Sequence, residues 1–282
     1  MGHGMAANIV AKGYGLTVYA HRNRAPVEDL VSKGASEAGS LAELAAASDI
    51  VFLCLTGSPQ VAEVVAALKP ALARGAVVVD CSTSDPTVTE VLARELAAAG
   101  IDFADAPLGR TPKEAWAGSL DAMVGATPAV FARLEPVIAT WAGKIVHIGG
   151  IGDGHRMKLL NNFLSLGYAA IYSEALTMAK KVGIPVAEFD KVIRGGRMDC
   201  GFYQTFMGYT LDGNREAHRF TIANAYKDLR YVESMANGAG MVTAIASAAK
   251  NSFAMAMATG GDGPEDYVPH LPDFVGRMNG IK

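Results

Sequence analysis

The sequence predicts a two-domain α/β chain: a doubly wound parallel sheet over residues 1–150, then an all-α domain over residues 151–282. Two observations carry this. In the first half, short β-rich apolar runs alternate with helix-start signals, the pattern of strand–helix–strand units. After Gly150 the β-rich runs stop, and a mostly apolar stretch of helical periodicity begins near Gly154.

The N-terminal "MGHGMAANIVAKGYG" reads as a helix leaving through Lys12-Gly13 into a strand at "LTVYA" (16–20). Further strands are expected at "IVFLCL" (50–55), "AVVVD" (76–80), "IDFADA" (101–106), "AMVGA" (122–126) and "KIVHIG" (144–149). Such continuous apolar runs suit parallel strands covered on both faces. Ser40 with Glu43 makes a capping box, and Ser58-Pro59, Asp85-Pro86 and Thr127-Pro128 each set a capping side chain before a proline at the first helical position. One long helix, from roughly 154 to 182, opens the second domain and stops at Gly183. In a dinucleotide-binding sheet the first helix follows a strand and a G-x-G-x-x-G turn. Here only the last glycine of that turn is available, as Gly2, so a Rossmann-like sheet without its first strand is expected, from a truncated or misassigned start.

With 282 residues, half of them hydrophobic, 19% charged and a net charge of −3, the chain has an enzyme-like composition and no basic surface for nucleic acid. No apolar run reaches membrane-spanning length, and the N-terminal residues, with no basic segment before an apolar stretch, do not read as a signal peptide. Cys54, Cys81 and Cys200 form no C-x-x-C pair and are expected as buried thiols of a cytoplasmic protein. The six histidines lack ligand spacing, so no metal site is assigned.

Ligands of open α/β sheets bind beyond the carboxyl ends of the strands. After 16–20 come His21, Arg22 and Arg24, where an acid would bond the ribose of NAD; cations there suit the 2′-phosphate of NADP, or make a solvated basic turn. Thr56-Gly57 and Ser82-Thr83 follow two other strands, with small hydroxyls beside which a cofactor can approach. On a 3.6-residue period Lys158, Asn161, Asn162 and Ser165 share one stripe of the long helix. That stripe is either a solvated face or the lining of an interdomain cleft, with Lys158 as a proton donor. His155, one turn earlier, reads as structural. Arg110 stands between Gly109 and Thr111 just after a buried run, either pairing a surface acid such as Glu114 or recognising an anion.

Together "MGHGMAANI", "DCST", "DAPLGRTPKEAWAGSLDAMVG", "GDGHRMKLLNN" and "YKDL" resemble, in order and over essentially the whole chain, the motifs of the β-hydroxyacid dehydrogenase (3-hydroxyisobutyrate dehydrogenase) family. The resemblance implies an NAD(P)-dependent oxidoreductase of short β-hydroxyacids or semialdehydes with an anionic terminus, NADP being preferred, and a homodimer or homotetramer. It implies Lys158 as catalytic acid/base. Ser82, Gly109, Arg110, Thr111, Asn161, Asn162 and Ser165 would contact substrate. Met1, Gly2, His21, Arg22, Leu55, Thr56, Ser82, Thr83, Lys227 and Asp228 would contact cofactor, with Lys227 reaching over the nicotinamide and Asp228 supporting it.

Most relatives have Ser-Gly-Gly where this chain has Gly109-Arg110-Thr111. The Gly-Arg-Thr form resembles sulfolactaldehyde reductase, a member acting on a sulfonate aldehyde. Thr111 and a helix asparagine would then serve the third oxygen of a sulfonate. The lack of an acid after residues 16–20 departs from an NADH-using reductase of that kind. Imine reduction and a non-catalytic nucleotide-binding scaffold are the competing readings.

Overall fold

In the computed structural model, which describes residues 1–261, 263 and 266–281, the chain forms two units, Met1–Lys158 and Leu159–Lys282. The first contains strands β1 (Thr17–Val18), β2 (Ser36–Glu37), β3 (Ile50–Leu53), β4 (Val77–Asp80), β5 (Asp102–Asp105), β6 (Leu108–Gly109), β7 (Leu120–Gly125) and β8 (Ala142–Gly149). Its helices are α1 (Gly2–Ala11), α2 (Ala25–Ser32), α3 (Leu41–Ala46), α4 (Ser58–Leu68), α5 (Pro86–Ala97), α6 (Pro112–Ala117) and α7 (Pro128–Ile138).

Strands β3, β4 and β5 pair in parallel, and their residues divide by parity between two cores. Val77, Val79 and Ala104 pack with Met5, Leu120, Leu134 and Trp141, whereas Val78, Val51 and Phe103 pack with Val61, Leu92 and Leu96. All four residues of β4 are buried, as a strand covered on both faces requires. The parallel expectation does not extend across the sheet: β7 runs antiparallel to β5 and β6, and parallel to β8. The physical reason is a hairpin: β6, a two-residue strand absent from the sequence reading, continues the β5 ladder, and the chain reverses through α6 before β7 returns alongside it. β1 and β2 pair with each other in a separate two-stranded sheet.

The caps follow the sequence with two exceptions: Ser58, and the Ser40–Glu43 capping box, which is only half formed because the Glu43 carboxylate accepts the Gly39 N–H at 2.8 Å and not that of Ser40. Ser40, Asp85 and Thr127 accept the expected backbone N–H groups of Glu43, Thr87 and Val130. Ser58 does not cap: Gly57 occupies that position, and the Ser58 hydroxyl accepts the N–H of Asp85 at 2.7 Å.

Helix α8 (Asp153–Lys181) runs 29 residues, and the division between the units falls within it, after Lys158. Gly183, at φ 80°, takes the left-handed conformation that follows the last turn. The second unit continues with α9 (Val186–Ile193), α10 (Gly201–Asp212), α11 (Ile222–Gly238), α12 (Ala244–Ala258) and α13 (Leu271–Met278). Leu159, Leu166 and Leu176 of α8 pack there with Tyr203, Phe206, Leu229, Phe253 and Phe274. Among the described residues no helix is long and apolar enough to cross a membrane. Cys81 is buried and Cys54 half-buried, but Cys200, expected inside, is exposed, because it caps α10 by accepting the N–H of Tyr203.

Candidate active site

In the first unit the sequence-predicted residues gather at strand ends and at one helix start. Helix α1 begins at Gly2 with no side-chain cap from Met1, and the Gly2 N–H faces the Cys54 sulfur. Gly2 lies against the residue that follows β3: a Cβ there would stand 3.2 Å from Cys54 Cβ, tighter than a comfortable contact. Half-buried Met1 precedes it. Such a start suits the pyrophosphate of a dinucleotide. After β3, Leu55 is half-buried and Thr56 exposed; after β4, Ser82 is buried and Thr83 half-buried. The Ser82 hydroxyl accepts the N–H of Leu55 at 2.9 Å, tying the two strand ends together.

His21 and Arg22 are exposed beyond β1. Arg24 is committed elsewhere, to Glu37 at 3.0 Å and Glu28 at 3.5 Å. Glu37 stands on β2 in register with Val18, so this acid beside the strand end is already paired with a guanidinium.

The loop after β6 differs from expectation in its partners. Arg110 holds φ 75° and is the one non-glycine residue with positive φ among those described. For an L-residue that conformation costs about 1–2 kcal/mol. Its Nε donates to Asp121 Oδ1 at 3.1 Å, so the acid it meets is Asp121 of β7 and not Glu114. Glu114 is used by Thr111 in a capping box of α6: the Thr111 hydroxyl donates to Glu114 Oε2 at 2.6 Å. The hydroxyl expected to serve a substrate oxygen is therefore spent on the helix. Gly109 pairs with Asp121 across the ladder, which brings the acid within reach. Asp121 was missed by sequence reasoning because it lies in a strand eleven residues away, and only the register places it there.

On α8, Lys158 is half-buried, Asn161 exposed, Asn162 buried and Ser165 half-buried. Asn162 Nδ2 donates to Asp228 Oδ2 at 2.7 Å, and the Ser165 hydroxyl donates to the Asn162 carbonyl. Asp228, on α11, also meets Lys227 Nζ at 3.1 Å. It supports Asn162 as well as Lys227, a link the sequence could not show.

A second group in the first unit escaped the sequence reading as a unit. Asp80, Asp105 and His155 have no solvent exposure. Asp80 accepts from the Ser82 N–H at 2.8 Å and the Ser84 hydroxyl at 2.7 Å. Asp105 accepts the N–H groups of Gly152 and His155 at 2.6 and 2.7 Å, acting as an external cap for α8. Burial raises the Asp105 carboxyl above the usual carboxylate range, opposed by His155 and those two N–H groups. The readable signal was an Asp ending each of two apolar runs, since a buried carboxylate needs partners.

Two family models cover this architecture. One, described as the NAD binding domain of 6-phosphogluconate dehydrogenase, matches residues 1–149. The other, described as NAD-binding of NADP-dependent 3-hydroxyisobutyrate dehydrogenase, matches residues 152–269. The chain belongs to the β-hydroxyacid dehydrogenase family. It is 28% identical to 3-sulfolactaldehyde reductase of Escherichia coli (strain K12), over 92% of this chain and 88% of that protein. It is 30% identical to 3-hydroxyisobutyrate dehydrogenase of Pseudomonas aeruginosa, over 90% and 88% respectively. In fold it resembles the solved 3-hydroxyisobutyrate dehydrogenase of Mycobacterium tuberculosis with L-serine, at a TM-score of 0.87, 24% identity and coverage of 98% and 95%. As a β-hydroxyacid dehydrogenase the chain is an oxidoreductase acting on CH–OH groups, with NAD or NADP as cofactor.

Proposed function

We propose that this dehydrogenase interconverts a short β-hydroxyacid and its semialdehyde, where the substrate carries an anionic terminus held by Arg110. One observation carries the substrate class: a guanidinium kept in a strained left-handed loop position at the end of β6. Strain of this kind is retained where the surroundings over-determine it, and such places cluster at functional sites. The Asp121 pair engages Nε on a guanidinium that is 53% exposed. An exposed pair of this kind is worth about 0–1 kcal/mol, too little to hold Arg110 against a better-matched anion. Carboxylate and sulfonate both suit the planar donor fork. Resemblance of the loop to sulfolactaldehyde reductase favours testing sulfonate first.

The bound NAD(P) supplies or accepts the hydride. Lys158 gives its proton to the nascent alkoxide oxygen in reduction and takes it back in oxidation, its cation also stabilising charge as it develops on that oxygen. The family resemblance assigns substrate contact to Asn162, whose amide Asp228 orients, and to Asn161 and Ser165, and separately to Ser82 and Gly109; Thr111 contributes the cap of α6 that shapes the Arg110 loop. Met1 and Gly2 take the pyrophosphate, and Leu55, Thr56 and Thr83 line the cofactor path. The family resemblance assigns Lys227 to the nicotinamide, and Asp228, 3.1 Å from its Nζ, would support that side chain. His21 and Arg22, with Glu37 paired with Arg24, favour the 2′-phosphate of NADP.

The enzyme works as a homodimer or homotetramer. This reading is supported by Leu160, Leu164, Tyr168, Ile171 and Met178, exposed apolar side chains along α8.

A coupled screen of carboxylate and sulfonate aldehydes, each with NADPH and NADH, tests this reading. It predicts turnover of short anionic aldehydes, faster with NADPH. Equal turnover of neutral aldehydes of the same length would contradict it.

A further inference from the structure

Three segments that carry site residues share one buried anchor. Asp80 ends β4, immediately before Cys81-Ser82-Thr83. Asp105 ends β5, five residues before Arg110. His155 lies in the first turn of α8, three residues before Lys158. The imidazole stands among them, with Nε2 3.6 Å from Asp80 Oδ2 and Nδ1 3.9 Å from Asp105 Oδ2.

His155 Nδ1 shares a hydrogen bond with the Thr89 hydroxyl at 2.8 Å, and that hydroxyl also lies 3.2 Å from the Asp85 carbonyl. The ring is hydrogen-bonded through Nδ1 to Thr89 of α5, while the strand-end carboxylates face it at 3.6 and 3.9 Å without bonding it. The backbone of the same turn is equally tight: a Cβ at Gly154 would fall on the Met123 carbonyl, with Asp105 Oδ2 at 2.8 Å and the Gly125 nitrogen at 3.0 Å.

We propose that His155 is a positioning residue for Lys158: held by Thr89 between Asp80 and Asp105, it fixes the axial position and rotation of the first turn of α8 relative to the Ser82 and Arg110 segments. This rests on the reading of Lys158 as acid/base. A helix is stiff over one turn, so a displacement at His155 passes to the Lys158 backbone with little loss. Misplacing a reacting group by about 1 Å can cost 10²-fold in rate.

The test compares His155→Leu, His155→Asn and Thr89→Val with Lys158→Ala in the full-length enzyme. Turnover, the KM of the aldehyde, NADPH affinity by fluorescence and the melting temperature are measured for each. His155→Leu removes both ring nitrogens, His155→Asn keeps a side-chain amide able to donate to or accept from the Thr89 hydroxyl near the Nδ1 position, and Thr89→Val removes that hydroxyl at nearly constant shape. The expected result is a turnover loss of roughly 10- to 100-fold in His155→Leu with NADPH affinity within about 3-fold of the parent. His155→Asn should recover most of that loss, and Thr89→Val should fall between. Should His155→Leu fail to fold, lowered turnover in folded Thr89→Val supports the role, and unchanged turnover in it overturns the role. Full turnover in folded His155→Leu, or no recovery in His155→Asn, also overturns it. Retained activity in Lys158→Ala would instead remove the reading beneath it, and is seen separately from the other variants.

Discussion

One buried carboxylate holds two side chains of the second unit: Asp228 accepts from Asn162 Nδ2 at 2.7 Å and meets Lys227 Nζ at 3.1 Å. Removing it strands both. A buried amide that loses its acceptor costs about 1–3 kcal/mol. Asp228→Ala should therefore lower the melting temperature by several degrees and reduce turnover. Asp228→Asn, which keeps an acceptor for Asn162 but drops the charge facing Lys227, should recover stability more than activity. Thermal unfolding and steady-state kinetics on the pair check this; equal recovery of both would place Asp228 in stability alone.

Arg110 predicts a trade between stability and recognition. Glycine meets no steric penalty at φ 75°, so Arg110→Gly should gain about 1 kcal/mol from released strain, less whatever its longer reach of unfolded conformations takes back. The same change removes the guanidinium, and the KM for an anionic aldehyde should rise roughly 10- to 100-fold with turnover less affected. Chemical denaturation and a substrate titration measure the two halves. An unchanged KM would return Arg110 to an ordinary surface ion pair with Asp121.

The second unit should lose stability in mild acid through His270. Its Nδ1 accepts the Tyr267 N–H at 3.2 Å and its Nε2 faces the Arg215 carbonyl at 2.9 Å, an arrangement only the neutral Nε2–H tautomer satisfies. Burial lowers its pKa below 6.5, and the Arg215 charge acts the same way; the Arg215 carbonyl bond and the charges of Asp266 and Asp273 oppose the shift. A histidine with a depressed folded pKa binds fewer protons folded than unfolded. Its stability contribution is thus present above pH 6.5 and lost as pH falls below it towards the folded value. Unfolding free energy followed from pH 8 downwards should decline below about 6.5, and His270→Gln, which cannot titrate, should flatten that decline. An identical slope in the variant would contradict the assignment.

Strand and helix identity was legible wherever periodicity was strong. The run "AVVVD" announced a strand covered on both faces, and Asp85-Pro86 and Thr127-Pro128 announced helix starts that the structure contains. What the sequence hid depends on register or on distance along the chain. The two-residue β6 is too short for any period, and it is what brings Asp121 to Arg110. Thr111 is a different case: the family resemblance makes it a substrate contact, although Thr111-Pro112-Lys113-Glu114 is itself a local capping-box pattern that the structure contains. Asn162 and Asp228 are 66 positions apart, and so are Thr89 and His155. No local pattern joins them; tertiary packing does.

The central claim is that Lys158, on the first turns of α8, is the proton donor and acceptor of the reaction. Lys158→Ala should bind NADPH as the parent does and lose turnover by orders of magnitude on the aldehyde the screen selects. Turnover within a few-fold of the parent, with NADPH binding intact, would contradict it.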